Sequence, residues 1–341
     1  MKIIVDAMGG DNAPDDIVAG ALDAARESGI DIVLCGRGED ILRVIERMGL
    51  KELPRGIEIV NASEEIGMED DPVNAVRAKK DSSMTVALNL LRDGRGDALV
   101  SAGNTGALLS GATLIVKRVR GVRRAALAPI IPNSAGGFVL IDTGANAECT
   151  PEYLLQFALM GSYYAQDILK LGSPRVGLLN NGTEPTKGTQ LQVEAYKLLD
   201  KAGVDGDINF IGNVEAKEVM KGVCDVLVSD GFTGNIMLKS LEGMASFLMS
   251  EIKGIYMKGW ATKLSSLLVR KHMHSLRAKM NPDTIGGTIL LGVTKPVIKA
   301  HGSSNAAAIN GAIRQAANAA LTDSASRLRD NIARMVSVQT T

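Results

Sequence analysis

The sequence predicts an α/β protein in which a mostly parallel sheet is covered by helices on both faces. Two observations predict it. Short apolar, β-rich runs recur along the chain, and helix-length segments joined by Gly, Asn and Asp turns lie between them. The runs are Lys2–Asp6, Asp31–Cys35, Gly56–Val60, Ala98–Val100, Gly137–Ile141, Val176–Leu179, Ile208–Ile211 and Val226–Val228. Helical patterns fall at Asp15–Ser28, Ser83–Arg92, Pro151–Leu171 and Leu191–Ala202. From about Ser240 the texture changes to nearly continuous helix through Met280. Asn281–Gly287 breaks it, Gly286–Gly292 returns to the sheet, and Asn305–Val336 reads as one Ala-rich closing helix. The expected body is therefore residues 1–239 and 281–341, with 240–280 as a helical arm beside it.

Composition bounds the function. In 341 residues, Lys+Arg and Asp+Glu both total 38, so no global field draws nucleic acid and none is expected as a partner. Cys35, Cys149 and Cys224 are scattered, outside any metal-type spacing, and imply a reducing compartment. The opening MKIIVDAMGG enters a strand directly, without a secretory pattern, and no apolar run reaches the ~18 residues of a membrane span. The expectation is a cytoplasmic protein that touches the inner face of the membrane from outside.

Sites in open α/β sheets lie where strand carboxyl ends meet helix amino ends. Six loops there consist almost wholly of Gly, Ser, Thr, Asn and Asp. They carry Gly9, Gly10 and Asp11; Gly103, Asn104, Thr105 and Gly106; Asp142 and Asn146; Asn181, Gly182, Thr183 and Lys187; Asp230, Gly231, Thr233, Gly234 and Asn235; and His301 with Ser303. Glycine lets the backbone approach an anion closely, and amides at a helix start favour negative charge. Lys187 and Lys239 are the cations best placed to neutralise phosphate. Any one such loop is ordinary punctuation with a helix cap. Six at one sheet edge describe a polar, anion-friendly cleft. Other chemistries leave weaker traces: Cys35-Gly36-Arg37-Gly38 lacks the last Gly of a dinucleotide fingerprint. A GxxxxGK[ST] loop and a GxSxG elbow are both missing, and two of the three histidines, His272 and His274, fall in the arm. No metal or cofactor is expected.

DAMGGD, SAGNTGALL, DTGAN, NNGTEPTKGT, FIGNVEAKE, SDGFTGN and KAHGSSNA follow one another from Met1 to Ala308. In these motifs the chain resembles the phosphate acyltransferase family of bacterial phospholipid synthesis. The resemblance implies a doubly wound α/β/α fold similar to isopropylmalate dehydrogenase and phosphotransacetylase. It implies a homodimer that moves a fatty acyl group reversibly from acyl-acyl carrier protein to orthophosphate. It also implies a membrane-bound glycerol-3-phosphate acyltransferase that consumes the acyl phosphate. Such a reaction needs positioning and charge stabilisation more than a strong base. Phosphate is already anionic, and a thiol with a pKa near ~8.5 leaves readily.

On this reading Lys187, Thr183 and Gly182 hold phosphate, with Asn104, Thr105 and Gly106 in support. Donors near Asn235 and Thr233 receive the thioester oxyanion, and His301 protonates the leaving thiolate or orients substrate. Asp6, Asp11, Asp142 and Asp230 order the loops. Cys149 lacks a basic partner, so direct attack is expected over an acyl-enzyme.

Glu251–Lys279 holds seven basic residues against the single acid Glu251, with apolar residues at helical spacing and the only tryptophan, Trp260. Three roles are open for it: a dimer hairpin, a contact with anionic lipid, and a dock for acyl carrier protein. Trp260, Lys263, Leu264, Leu268, Arg270 and Lys271 are its candidate contact residues. The alternatives for the whole chain are a short-chain phosphate acyltransferase, a NAD-dependent decarboxylating dehydrogenase of the same fold, and a non-catalytic membrane scaffold.

Overall fold

A computed structural model of the chain describes residues 1–260, 262, 265, 269, 271–273, 286–322 and 324–338. The first part runs β1 (Lys2–Asp6), α1 (Asp15–Ser28), β2 (Asp31–Gly36), α2 (Gly38–Arg47), β3 (Ile57–Asn61), α3 (Pro72–Ala78), α4 (Ser83–Arg92) and β4 (Ala98–Ser101). Next come α5 (Thr105–Gly111), which continues into a π-helical turn at Ala112–Val116, and the short strands β5 (Ala126–Ala128) and β6 (Ile130–Ile131). The middle comprises β7 (Phe138–Ile141), α6 (Pro151–Ile168), β8 (Arg175–Asn180), α7 (Gln190–Val204), β9 (Asn209–Glu215), α8 (Ala216–Val219) and β10 (Val226–Val228). The chain then enters α9 (Gly231–Met257), β11 (Thr288–Leu291), β12 (Val297–Lys299), α10 (Ala306–Ala320) and α11 (Ser324–Val338).

The strands form two sheets rather than the one expected. The seven-stranded sheet has the order β3-β2-β1-β4-β12-β11-β5, parallel except for β11. The five-stranded sheet has the order β6-β7-β10-β8-β9, parallel except for β6. The short segment β5–β6 passes the chain from one sheet to the other.

Strands buried on both faces explain the continuous apolar runs in the sequence. In β1, Ile3 and Val5 enter one core with Ile17 of α1 and Ile309 of α10, while Ile4 enters the other with Leu88 of α4. The first of these cores runs on through Ala126 and Ala128 of β5 to Val139, Leu154 and Leu199, so it spans both sheets. A third cluster fills the outer face of the second sheet, where Met237, Leu238 and Leu241 of α9 pack over Leu140 and Leu227.

Polar residues at the sheet edges start the helices. Asn104 accepts from the Ala107 amide, Asp230 from Thr233 and Asn305 from Ala308, while Thr189 and Gln192 form a capping box. Each such cap contributes about 1 kcal/mol.

Three further differences from expectation stand out. β5, β6 and β12 are too short to show a period. The single closing helix is two, separate at Ala320 and Ser324. The arm helix begins at Gly231, inside a ligand-type loop, and is continuous to Met257. Most of the expected arm beyond Trp260 lies outside the described residues.

Candidate active site

In-register parallel strands bring their carboxyl ends, and hence the loops, together. In the first sheet Val5 pairs with Val100, Val100 with Ile298 and Ser101 with Lys299, so the loops after β1, β4 and β12 are neighbours. The Asp11 amide donates to Gly302 O at 2.8 Å, and Asn12 Nδ2 donates to the carbonyls of Ser303 and Ser304. A Cβ on Gly9 would lie 2.7 Å from the Gly103 amide nitrogen, so only glycine lets these two loops touch. Asn104 Nδ2 donates to Met68 O at 2.9 Å, tying in the segment before α3. The Thr105 and Gly106 amides make no hydrogen bond within the described residues. His301 is exposed, and its Nδ1 lies 2.9 Å from Ser303 Oγ and 3.3 Å from the Ser303 amide. That amide donates to Nδ1, which leaves Nε2 as the ring nitrogen that can carry a donor proton.

The second group is built on Asp142, which is wholly buried at the end of β7. One carboxylate oxygen accepts from the Leu127 amide at 2.9 Å and the Ala145 amide at 3.2 Å. The other accepts from the Asn146 amide at 2.7 Å and Asn146 Nδ2 at 3.0 Å. Burial pushes the carboxyl above the ordinary range, against these hydrogen bonds, which favour its charge. The Gly231 amide in turn donates to Asn146 O, and a Cβ on Gly234 would lie 1.9 Å from Asp142 O. The start of α9 is thereby pressed onto this knot.

Asp230 occupies the Thr233 amide at 2.8 Å, and the Gly234 amide bonds Asp230 O. Thr233 therefore offers its hydroxyl and not its backbone donor. The Phe232 amide and the Asn235 carboxamide have no hydrogen-bond partner among the described residues, and Asn235 leans against Gly144. Within the opening turns of α9 these and the Thr233 hydroxyl are the free donors among the described residues.

β8 lies beside β10, with Val228 opposite both Ile141 and Leu178, so the Asn180–Thr189 loop stands at the same edge. Asn180 Nδ2 holds Lys187 O at 3.0 Å and Asn213 Nδ2 holds Glu184 O at 2.8 Å. Asn181 uses its amide on Asn180 Oδ1. The Lys187 stem crosses Gly182, where a Cβ would lie 2.9 Å from its Cγ. The amides of Gly182 and Thr183 are unpaired, and the Lys187 ammonium has no ion pair among the described residues.

The loops thus fall into two groups, one per sheet. Asp142 links them by holding Leu127 of β5, and Ala145 packs against the core under the first sheet. A cavity of about 280 Å³ lies elsewhere, at the opposite strand ends, lined by Asp97, Met160, Leu291 and Pro296. Among the candidate contact residues, Trp260 is 82% exposed and Lys271 is exposed, while Lys263, Leu264, Leu268 and Arg270 lie outside the described residues.

Sequence reasoning placed Asn180 in a ligand-type loop, and Asn213 and Lys299 in the motifs FIGNVEAKE and KAHGSSNA, without giving any of them a role. The signal for Lys299 was its place just before the His301 turn, hidden because β12 has only three residues.

Comparison with known proteins bears on the family and the fold. The family model described as "Fatty acid synthesis protein" matches residues 1–327. A phosphate acyltransferase of Oceanobacillus iheyensis is 45% identical over 317 residues, 93% of this chain and 92% of the relative. One of Thermoanaerobacter pseudethanolicus is 45% identical over 336 residues, 98% of each. Among solved structures, a phosphotransacetylase from Streptococcus pyogenes superposes with a TM-score of 0.65 at 17% identity, covering 94% of both chains. A putative 4-hydroxythreonine-4-phosphate dehydrogenase from Salmonella typhimurium gives 0.53 at 12% identity, covering 93% of this chain and 98% of its own. At these identities the two structures speak for the fold alone.

Replacing Asp142 by Ala would leave several buried amides without an acceptor. Urea unfolding of Asp142→Ala is expected to show a loss of about 3 kcal/mol or more; a midpoint equal to that of the unaltered chain would mean the knot is dispensable.

Proposed function

The chain belongs to the fatty acid synthesis protein family, that of the phosphate acyltransferases, and transfers an acyl group to phosphate; from that premise we propose that acyl-acyl carrier protein is the donor. The product is an acyl phosphate for phospholipid synthesis, passed to a membrane-bound glycerol-3-phosphate acyltransferase.

The observation that carries the site assignment is the Lys187 stem lying against Gly182, with its ammonium in no ion pair and the Gly182 and Thr183 amides in no hydrogen bond among the described residues. A cation beside free backbone donors suits a phosphate dianion, although the Glu184 carboxylate also lies at Gly182. Held there, one phosphate oxygen attacks the thioester carbonyl carbon. A C–O bond forms, the C–S bond breaks, and the electron pair leaves on sulfur. The Asn235 carboxamide and the Phe232 amide, free at the start of α9, receive the carbonyl oxygen as it becomes anionic. His301 orients the donor through its Nε2–H or, as the imidazolium, gives the departing thiolate a proton and returns to the neutral ring. Gly9, Gly10, Asp11 and Gly103–Gly106 complete the anion-binding edge from the first sheet.

Covalent catalysis has little support. Cys149 is half-buried, its Sγ faces Asn146 O at 3.5 Å, and burial pushes its thiol up to about 12. Such a group is a poor nucleophile near neutral pH.

The arm supplies the partners. After Gly234 no residue of α9 is buried, and Phe232, Met244, Phe247, Ile255 and Met257 are exposed large apolar residues on it. No described helix is long and apolar enough to cross a membrane. A face so apolar fits a second copy of the chain along its length. Towards Trp260 the neighbouring Lys253, Lys258 and Lys271 suit anionic lipid or an acidic carrier protein.

Turnover is tested with acyl-acyl carrier protein and labelled orthophosphate, scoring labelled acyl phosphate; transfer only from short acyl-coenzyme A would favour the short-chain alternative. In that assay Lys187→Ala is expected to raise the phosphate requirement at least about tenfold, the loss of one charge-assisted contact; an unchanged phosphate dependence removes Lys187 from the role. Cys149→Ala is expected to keep most of the turnover, and near-total loss in a folded variant would restore the acyl-enzyme. For the arm, Trp260→Ala combined with Ile255→Glu is expected to reduce sedimentation with anionic liposomes, and equal binding would defeat the lipid reading.

A further inference from the structure

Three neighbouring strands of the first sheet end in a row of polar groups. Ser101 of β4 is the register partner of Lys299 in β12, and on its other side it donates to the Asp6 carboxylate at 2.7 Å. Laterally paired residues of parallel strands share a face, so Asp6, Ser101 and Lys299 emerge together. The Lys299 ammonium donates to Ala102 O at 3.2 Å and also to Ala300 O. Those carbonyls belong to two different loops: the one that carries Gly103–Gly106 and the one that carries His301 and Ser303. One side chain therefore pins both to a common point, while Asp11 fastens the β1 loop to Gly302.

A charge is a costly fastener here. An ammonium withdrawn from water loses hydration that two carbonyls only partly replace, and a neutral amide would bridge the same acceptors more cheaply. Burial pushes Lys299 down to about 8. Asp6 on β1 and Asp11 on the following loop act against that shift, while Lys239 on α9 adds to it. His301 is the remaining titratable group within the loop. Lys239 belongs to α9, whose opening turns carry Asn235, so its influence on Lys299 runs between the two loop groups.

We propose that Lys299 is a positioning residue for acyl transfer, locking the loop after β4 to the loop after β12 and supplying the positive potential that draws phosphate to the first-sheet amides. This rests on the phosphate acyltransferase reading and adds to it a residue that touches neither reacting atom. Linkage separates the role from plain stabilisation. Between about pH 8 and the ordinary lysine range the unfolded chain binds the proton that the folded chain has released, so stability rises with pH there. At neutral pH the charge on Lys299 therefore costs stability, which offsets the two hydrogen bonds lost with the side chain.

The test compares wild type, Lys299→Met and Lys299→Arg in the labelled-phosphate assay with acyl-acyl carrier protein, alongside thermal melts at pH 7. Lys299→Met is expected to melt no lower than wild type and to lose at least about tenfold in kcat/KM for phosphate. Wild-type activity is expected to fall above about pH 8 as the ammonium is lost, and Lys299→Arg, which stays charged, to hold its activity to higher pH. A Met variant within twofold of wild type overturns the proposal, as does an Arg variant whose pH profile superimposes on wild type. If the Met variant fails to fold, the Arg profile decides. Wild type that makes no labelled acyl phosphate would instead overturn the proposed donor and acceptor.

Discussion

The carboxylate of Asp142 is the constraint on which the site depends. It accepts amides from Leu127, Ala145 and Asn146 and the Asn146 side chain, so it binds β5 of one sheet to the loop after β7 of the other. The start of α9 is seated on the same knot through Gly231 and Gly234. A buried charge is tolerable only when its lone pairs are satisfied, and here the satisfying groups are main-chain amides of two separate segments and the Asn146 side chain. Geometry and charge compensation are one arrangement.

Around this knot the chemistry is done with few charges. The chain carries equal numbers of acidic and basic residues, and the loops present amides, hydroxyls and carboxamides with isolated lysines among them. That economy matches a reaction in which the nucleophile arrives charged and the leaving thiolate is stable. What the protein must supply is fixed dipoles where negative charge accumulates. Many of the polar loop residues are spent on structure: Asn104, Asp230 and Asn305 cap helices, and Asn180 and Asn213 brace the Lys187 turn. The donors left over among the described residues, at Thr105, Gly106, Gly182, Thr183, Phe232, Thr233 and Asn235, define the candidate reactive surface by subtraction.

Most of the architecture was legible because buried parallel strands are apolar without interruption and end in Gly/Asn/Asp turns. The runs at Lys2–Asp6, Val176–Leu179 and Val226–Val228 coincide with strands β1, β8 and β10 to within a residue. The crossover was hidden. β5 and β6 have three and two residues around Pro129, too few for any period to emerge, so one sheet was expected where there are two. The closing helix carries no Gly or Pro where it breaks after Ala320, and composition alone reads it as continuous. The ligand-type loops were recognisable by residue type. Which of their donors remain free was not, because that depends on tertiary partners such as Asn146 O for Gly231. Lys299 was given no role for a related reason: its meaning lies in Ser101 and Asp6, far away in sequence and adjacent only across the sheet.

The long helix has a mechanical consequence. α9 starts at the residues proposed to receive the carbonyl oxygen and continues unbroken for 27 residues, about 40 Å at the helical rise. Its seat on Asp142 O leaves no room for even a methyl group at Gly234. A rod clamped so tightly at one end cannot tilt at the other without disturbing the clamp. Whatever grips the distal turns, whether a second copy, a lipid surface or a carrier protein, therefore pulls on the same lever that sets the Asn235 carboxamide.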